Sequence, residues 1–170
     1  MSDALAVMTR VIAEHRVIRE HIKLAGERVA DIEAIFALRR TYADWTQSSV
    51  ETLVVKQDEL QQTMSFLEEG LKNHFAFEEE ALPPLLGRLL MKAILLEHRD
   101  IARQIRDAKG MLISTKLEGL DQQQLLAAKS KIQQTVNNLS QAVEEHASHE
   151  ETILEMMRKA VESRSDKRTG

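Results

Sequence analysis

The chain contains no cysteine, which excludes disulfides, iron–sulfur clusters and thiol catalysis, and suits a reducing cytoplasm. Proline is nearly absent, with two residues, and glycine is scarce, with six among 170. Helix interiors tolerate neither well, so their scarcity leaves room for long helices. Aromatic residues make up only 4% of the chain. No apolar run approaches the roughly 20 residues that cross a bilayer, and no basic segment followed by an apolar one marks the N-terminus. Positive charge is not in excess either: the net charge of −4 argues against a nucleic-acid partner. What is abundant is Leu, Ala, Glu, Gln and Lys, the composition of an all-α protein. A chain of this length is expected to form one domain with an ample core.

Apolar residues recur at helical spacing through Leu5, Met8, Ile12, Ile18, Ile22, Ala25, Val29, Ile32 and Ile35. Three breaks interrupt the pattern. The first is Thr41 to Ser49, with Ser48 or Ser49 placed to cap a second helix. The second and sharpest is Pro83-Pro84-Leu-Leu-Gly87. The third is Ser114 to Asp121, with Asp121 as the expected cap of a long fourth helix. Residues 1–162 are expected to form the folded domain and 163–170, polar and charged, a flexible tail.

Within this frame a short pattern occurs twice. Glu14-His15-Arg16 is followed far downstream by His74-Phe-Ala-Phe-Glu78-Glu79; Glu97-His98-Arg99 is followed by His146-Ala-Ser-His-Glu150-Glu151. The lone histidine precedes its His-x-x-x-Glu by 59 residues in one half and 48 in the other. A His and a Glu four apart share one helix face. Two such pairs and two single histidines supply four nitrogens and two carboxylates: His15, His74, Glu78, His98, His146 and Glu150.

The breaks and the histidines agree. Residues that face each other across an antiparallel hairpin lie equally far from its turn. The midpoint of His15 and His74 falls at Asp44–Trp45, that of His74 and His98 at Leu86, and that of His98 and His146 at Gln122. These lie in or beside the three breaks, so all four histidines fall at one level of an antiparallel up-down-up-down four-helix bundle. His74 and His98 stand 12 residues from their turn, roughly 18 Å at the helical rise. His15 and His74 stand about 29 residues from theirs, roughly 44 Å. The histidine level is therefore expected near the Pro83–Gly87 end.

Carboxylates and imidazoles buried at one level need a cation to balance them. Nitrogen with oxygen ligands suits iron, manganese or zinc. With two histidines per ion, two bridging carboxylates and a solvent-derived bridge, each of two iron ions would keep one position open for a small molecule. His21 and His149 read as surface residues: His21 is turned off the ligand face, and His149 aligns with Phe77. Glu79 and Glu151 read as outer or solvated acids; Glu14 and Glu97 either orient an imidazole or face water. The ferritin-type Glu three residues before a ligand histidine occurs nowhere among these positions. One turn from the histidines lie Arg19, Gly70, Ala102 and Ala142. Three of them are small, which fits either close helix packing or a cavity beside the metals near Arg19.

The ordered set of single His, His-x-x-x-Glu-Glu, single His, His-x-x-x-Glu-Glu, with proline soon after the first acid pair, resembles the hemerythrin-like, or HHE cation-binding, domain from about residue 4 to 160. The resemblance implies a non-haem di-iron centre in a four-helix bundle that meets dioxygen, nitric oxide or peroxide; a redox partner is a further expectation, and the charge and the lack of a long apolar run set aside nucleic acid and membrane. It sets His15, His74, Glu78, His98, His146 and Glu150 at the ligand positions. Oxygen-carrying hemerythrins have His-x-x-x-His on the third helix, where this chain has Ala102. Their fourth-helix acid follows its histidine by five residues; the repeat here favours Glu150, at four, over Glu151. The set is more similar to the di-iron domain of bacterial proteins that repair iron centres, which carry a cysteine-bearing N-terminal segment that this chain lacks. The expected role is a sensor, scavenger or iron-handling protein. The alternatives are a structural zinc bundle and a metal-free signalling bundle such as a histidine phosphotransfer module.

Overall fold

The protein is described by a computed structural model over residues 2–41, 47–117 and 119–166. Four helices account for almost all of it: α1 (Ser2–Thr41), α2 (Gln47–Ala81), α3 (Pro83–Ser114) and α4 (Gln122–Asp166). Each packs on its sequence neighbours, and α4 returns against α1. The result is the antiparallel four-helix bundle expected from the histidine midpoints. Among the described residues no helix is long and apolar enough to cross a membrane.

The buried positions explain why these segments pair. On α3 they are Met91, Ile94, His98, Ile101, Ile105, Ala108 and Leu112, spaced alternately by three and four. That spacing draws one stripe along the helix, the seam on which bundles close. α1 follows the same rule through Met8, Val11, His15 and Ile18, and α4 through Val136, Leu139, Val143, His146 and Glu150. The candidate ligands thus occupy core positions of their own stripes. Fully buried side chains such as Leu60, Met64 and Leu139 each contribute about 2 kcal/mol to this closure.

The turns are made by identifiable residues. At the second break Leu85 and Leu86 donate to Leu82 O, both at 2.9 Å, and the prolines start a helical turn because their missing N–H costs nothing there. Gly87 then takes φ 72° and ψ 173°, a conformation open only to glycine, and reverses the chain into the body of α3. At the third break Asp121 accepts from Gln124 N at 2.8 Å while Asp121 N donates to Gln124 Oε1 at 3.0 Å, a capping box. Buried Gln57 donates to Leu112 O and Thr115 O, each at 2.7 Å, and so ties the end of α3 to α2. Asp44 and Trp45, the first midpoint, lie outside the described residues. Ser48 and Ser49 do not cap α2, because the helix already includes them from Gln47 onward. α4 continues to Asp166, so the polar stretch after 162 begins as helix, each added residue bringing one more backbone bond.

The apolar core lies in two parts. A large cluster including Ile32, Leu60, Leu112 and Leu139 fills the long end. A smaller one, of Met8, Val11, Leu82, Met91, Ile94 and Leu154, fills the Pro83–Gly87 end. Between them lies a layer of buried polar side chains, off-centre as the spacing predicts.

Candidate metal centre

That layer consists of His15 from α1, His74 and Glu78 from α2, His98 from α3, and His146 and Glu150 from α4. All six are buried, with relative exposures between 0% and 3%. The structure therefore brings together every residue of the repeated pattern's inner set. Two overlapping groups, His15–His74–His146–Glu150 and Glu78–His98–His146–Glu150, each have potential ligand atoms within 4.8 Å of one another.

Glu78 lies at the middle. Its Oε1 is 2.8 Å from His74 Nε2 and 3.5 Å from His15 Nε2; its Oε2 is 3.2 Å from His98 Nε2 and 3.9 Å from His146 Nε2. One oxygen thus faces each pair of histidines. The rings follow the same pairing, with centroids 4.8 Å apart for His15 and His74 and 4.9 Å for His98 and His146. Glu150 Oε2 lies between the pairs, 3.4 Å from His15 Nε2 and 3.9 Å from His146 Nε2.

Outside this layer a second set of carboxylates holds the opposite ring nitrogens. His74 Nδ1 donates to Glu14 at 2.8 Å, His98 Nδ1 to Glu79 at 3.0 Å, His146 Nδ1 to Glu97 at 2.9 Å and His15 Nδ1 to Glu151 at 3.1 Å. The pattern is cyclic: each helix supplies the acid that orients the histidine of the next helix. A carboxylate only accepts, so each Nδ1 carries the hydrogen and each Nε2 turns a lone pair inward. None of the four inward Nε2 atoms and none of the oxygens of Glu78 and Glu150 has a hydrogen-bond partner. Buried acceptors that face one another are costly unless a cation lies among them. The donor set fits such a cation: imidazole nitrogens with outer carboxylates behind them, and carboxylate oxygens able to bridge.

The electrostatics express the same demand. Burial opposes charge on His15, yet the carboxylates of Glu150 and Glu78 lift it to about 9. Burial pushes His146 down to about 4 despite its hydrogen bond to Glu97. Burial would raise Glu78, but His15, His74 and His98 hold it well below the usual carboxylate range. Glu150 goes the other way, raised by burial and by the proximity of Glu78. Two buried carboxylates at close quarters do not both ionise unless something positive lies between them.

A family model described as the hemerythrin HHE cation-binding domain matches residues 7–154. The chain belongs to the hemerythrin HHE family. No match was found among curated proteins or among solved structures. The matched span of this HHE domain includes all six inner residues and all four outer acids.

The remaining expectations for the hemerythrin fold divide. His149 is outward, bonded to Glu97 at 3.1 Å, and His21 bonds its own helix at Val17 O. Glu151 faces away from the inner layer, toward His15 Nδ1 and Arg19. Arg19, Gly70, Ala102 and Ala142 do not line one central cavity. Gly70 lies in the α1–α2 groove, Ala102 in the α2–α3 groove and Ala142 in the α3–α4 groove, while Arg19 is engaged with Glu144 and Glu151. The reason is helical phase. One turn from each histidine the inward residue is three positions away, not four, and the interior there is filled by Ile18, Leu71, Ile101 and Val143. Sequence reasoning also missed Phe75, whose ring stacks on His98 at 3.9 Å and 13°. Its counterpart in the repeat is Ala147, so the pattern carried no signal for it.

Proposed function

We propose that His15, His74, Glu78, His98, His146 and Glu150 hold two iron ions. On this reading His15 and His74 serve one ion, His98 and His146 the other, and Glu78 and Glu150 are shared between them. The observation that carries it is the set of inward nitrogens and carboxylate oxygens, all buried and without hydrogen-bond partners, behind which every opposite nitrogen is fixed by an acid. Bound in this way, a pair of irons supplies electron exchange and an open coordination position for dioxygen, nitric oxide or peroxide. The chain's own part is to hold the four imidazoles in one tautomer, to keep both carboxylates ionised in a dry interior, and to exclude bulk water between two apolar clusters. The physiological role we infer is that of a cytoplasmic sensor, scavenger or iron-handling protein served by a redox partner. Manganese or zinc would suit the same donors. A phosphotransfer module needs an exposed histidine, and the repeated histidines are buried.

Metal analysis of the purified chain after anaerobic iron loading should give two irons per chain, because six ligands exceed what one tetrahedral ion uses. The oxidised protein should then show optical bands that a zinc form lacks. A reproducible value of one or none overturns the di-iron reading.

A further inference from the structure

The internal repeat makes one groove of the bundle unlike its counterpart. Alignment of His15 with His98, and of His74 with His146, sets Arg19 opposite Ala102, Glu151 opposite Glu79 and Glu144 opposite Lys72. In the α1–α4 groove the Arg19 guanidinium donates to Glu151 at 2.6 Å and to Glu144 at 2.8 Å, and so occupies the space beside its histidine. In the α2–α3 groove only the Ala102 methyl stands there, and a cavity of about 360 Å³ opens against it. The acid that bound a guanidinium in one half is replaced in the other by a lysine.

The walls of this cavity define what fits it. Leu71, Phe75 and Ile105 form an apolar floor. The two acids at its edge are already engaged, Glu79 with His98 and Glu68 with Lys109. Lys72, Arg99 and Arg106, all exposed, line the rim, and no ion pair to any of them is found among the described residues. A volume of this size lies within the range of small-molecule sites, where a mostly apolar lining carries a few convergent polar groups. Three unpaired cations around an apolar floor complement an anion with an apolar body.

We propose that the α2–α3 groove binds a small organic anion, its ring or chain against Leu71, Phe75 and Ile105 and its carboxylate or phosphate head between Lys72, Arg99 and Arg106. The proposal goes beyond the metal reading and does not rest on it: His98 and Glu79 reach the cavity wall, but the apolar floor and the cationic rim that would hold the anion are other side chains. The same Phe75 ring stacks on His98, so a bound anion lies one aromatic ring from the buried layer.

The test uses anilinonaphthalene sulfonate, an apolar anion, titrated by fluorescence and calorimetry into the full, iron-loaded chain. Saturable one-to-one binding is expected. The Arg99→Glu/Arg106→Glu double variant should bind about tenfold more weakly, the sum of two exposed charge contacts reversed. Ala102→Arg, which copies into this groove the arginine that the other half already carries, should abolish binding while the thermal melt stays cooperative. Phenylnaphthylamine, the uncharged analogue, should bind about tenfold more weakly than the sulfonate. Phe66→Ser, on the exposed α1–α2 side, should leave the affinity unchanged. Undiminished binding by folded Ala102→Arg, by the double variant, or by the uncharged analogue overturns the proposal. Iron content measured on the same samples separates the two readings. A chain without iron that still binds the probe in this way keeps the groove and loses the metal centre, and a di-iron chain whose probe binding ignores these changes does the reverse.

Discussion

A histidine that offers one nitrogen to a metal is steered by whatever its other nitrogen touches. Here four acids do the steering, and they differ in kind from the two acids within the layer. Glu78 faces both histidine pairs, whereas Glu79, next in sequence, faces only His98. If Glu78 and Glu150 are shared between two ions, as proposed, alanine at either should remove most bound iron. Alanine at Glu79 or Glu151 should weaken iron binding by only about 10–100-fold. Iron retained after dialysis of the four single variants decides between them, and greater loss from Glu151→Ala than from Glu150→Ala would mean that the fourth-helix ligand is Glu151. The inner six were legible in the sequence because they recur at helical spacing in both halves. The outer acids recur as well, at positions just before the single histidines and just after the inner glutamates, but their partners were not legible. A neighbouring residue on a helix points about 100° away from its ligand, toward another helix whose rotation only the packed bundle defines.

At the scale of the helices, stability depends on how each one starts and stops. Asp121 caps α4 through reciprocal bonds with Gln124, and its replacement by alanine should cost about 1 kcal/mol. In a chain of this size that lowers the melting temperature by roughly 2–4 °C, which a thermal melt followed by circular dichroism resolves. Gly87 should be more sensitive. Its φ of 72° with ψ of 173° lies where a side chain costs on the order of 1–3 kcal/mol, so Gly87→Ala should lower the melt at least as far as Asp121→Ala. Equal stability of Gly87→Ala and the parent chain would show that the α2–α3 turn relaxes without loss. Both turn signals were readable from sequence because they act locally, through one side chain or one backbone angle. The start of α2 was not: serine is common at caps, but Ser48 and Ser49 lie already inside the helix, and nothing local distinguishes one serine in such a run from the next.

The whole molecule is an apolar bundle interrupted by one polar level. The position of that level was legible in the sequence, because equal distances from three turns fix four histidines at once. The packing around it was less so: the small residues four positions from the histidines fitted either close helix packing or a cavity beside the metals, and helical phase sends them instead to separate grooves. On the proposed reading the polar level also makes the bundle's stability depend on a cation. Without one, His15 and Glu150 are pushed toward holding protons and the inward acceptors have no partner. An ion that binds only the folded chain, at a free concentration about 1,000 times its dissociation constant, stabilises it by about 4 kcal/mol. For a domain of this length that corresponds to roughly 10 °C in melting temperature. Removal of iron with a chelator should therefore lower the melt by about that amount, and anaerobic reloading should restore it. The same treatment should do much less in a Glu78→Ala chain, which has already lost the shared carboxylate. If chelation and reloading leave the melt of the parent chain unchanged while iron content changes, the iron sits on the surface, and the buried layer is stabilised by protons alone.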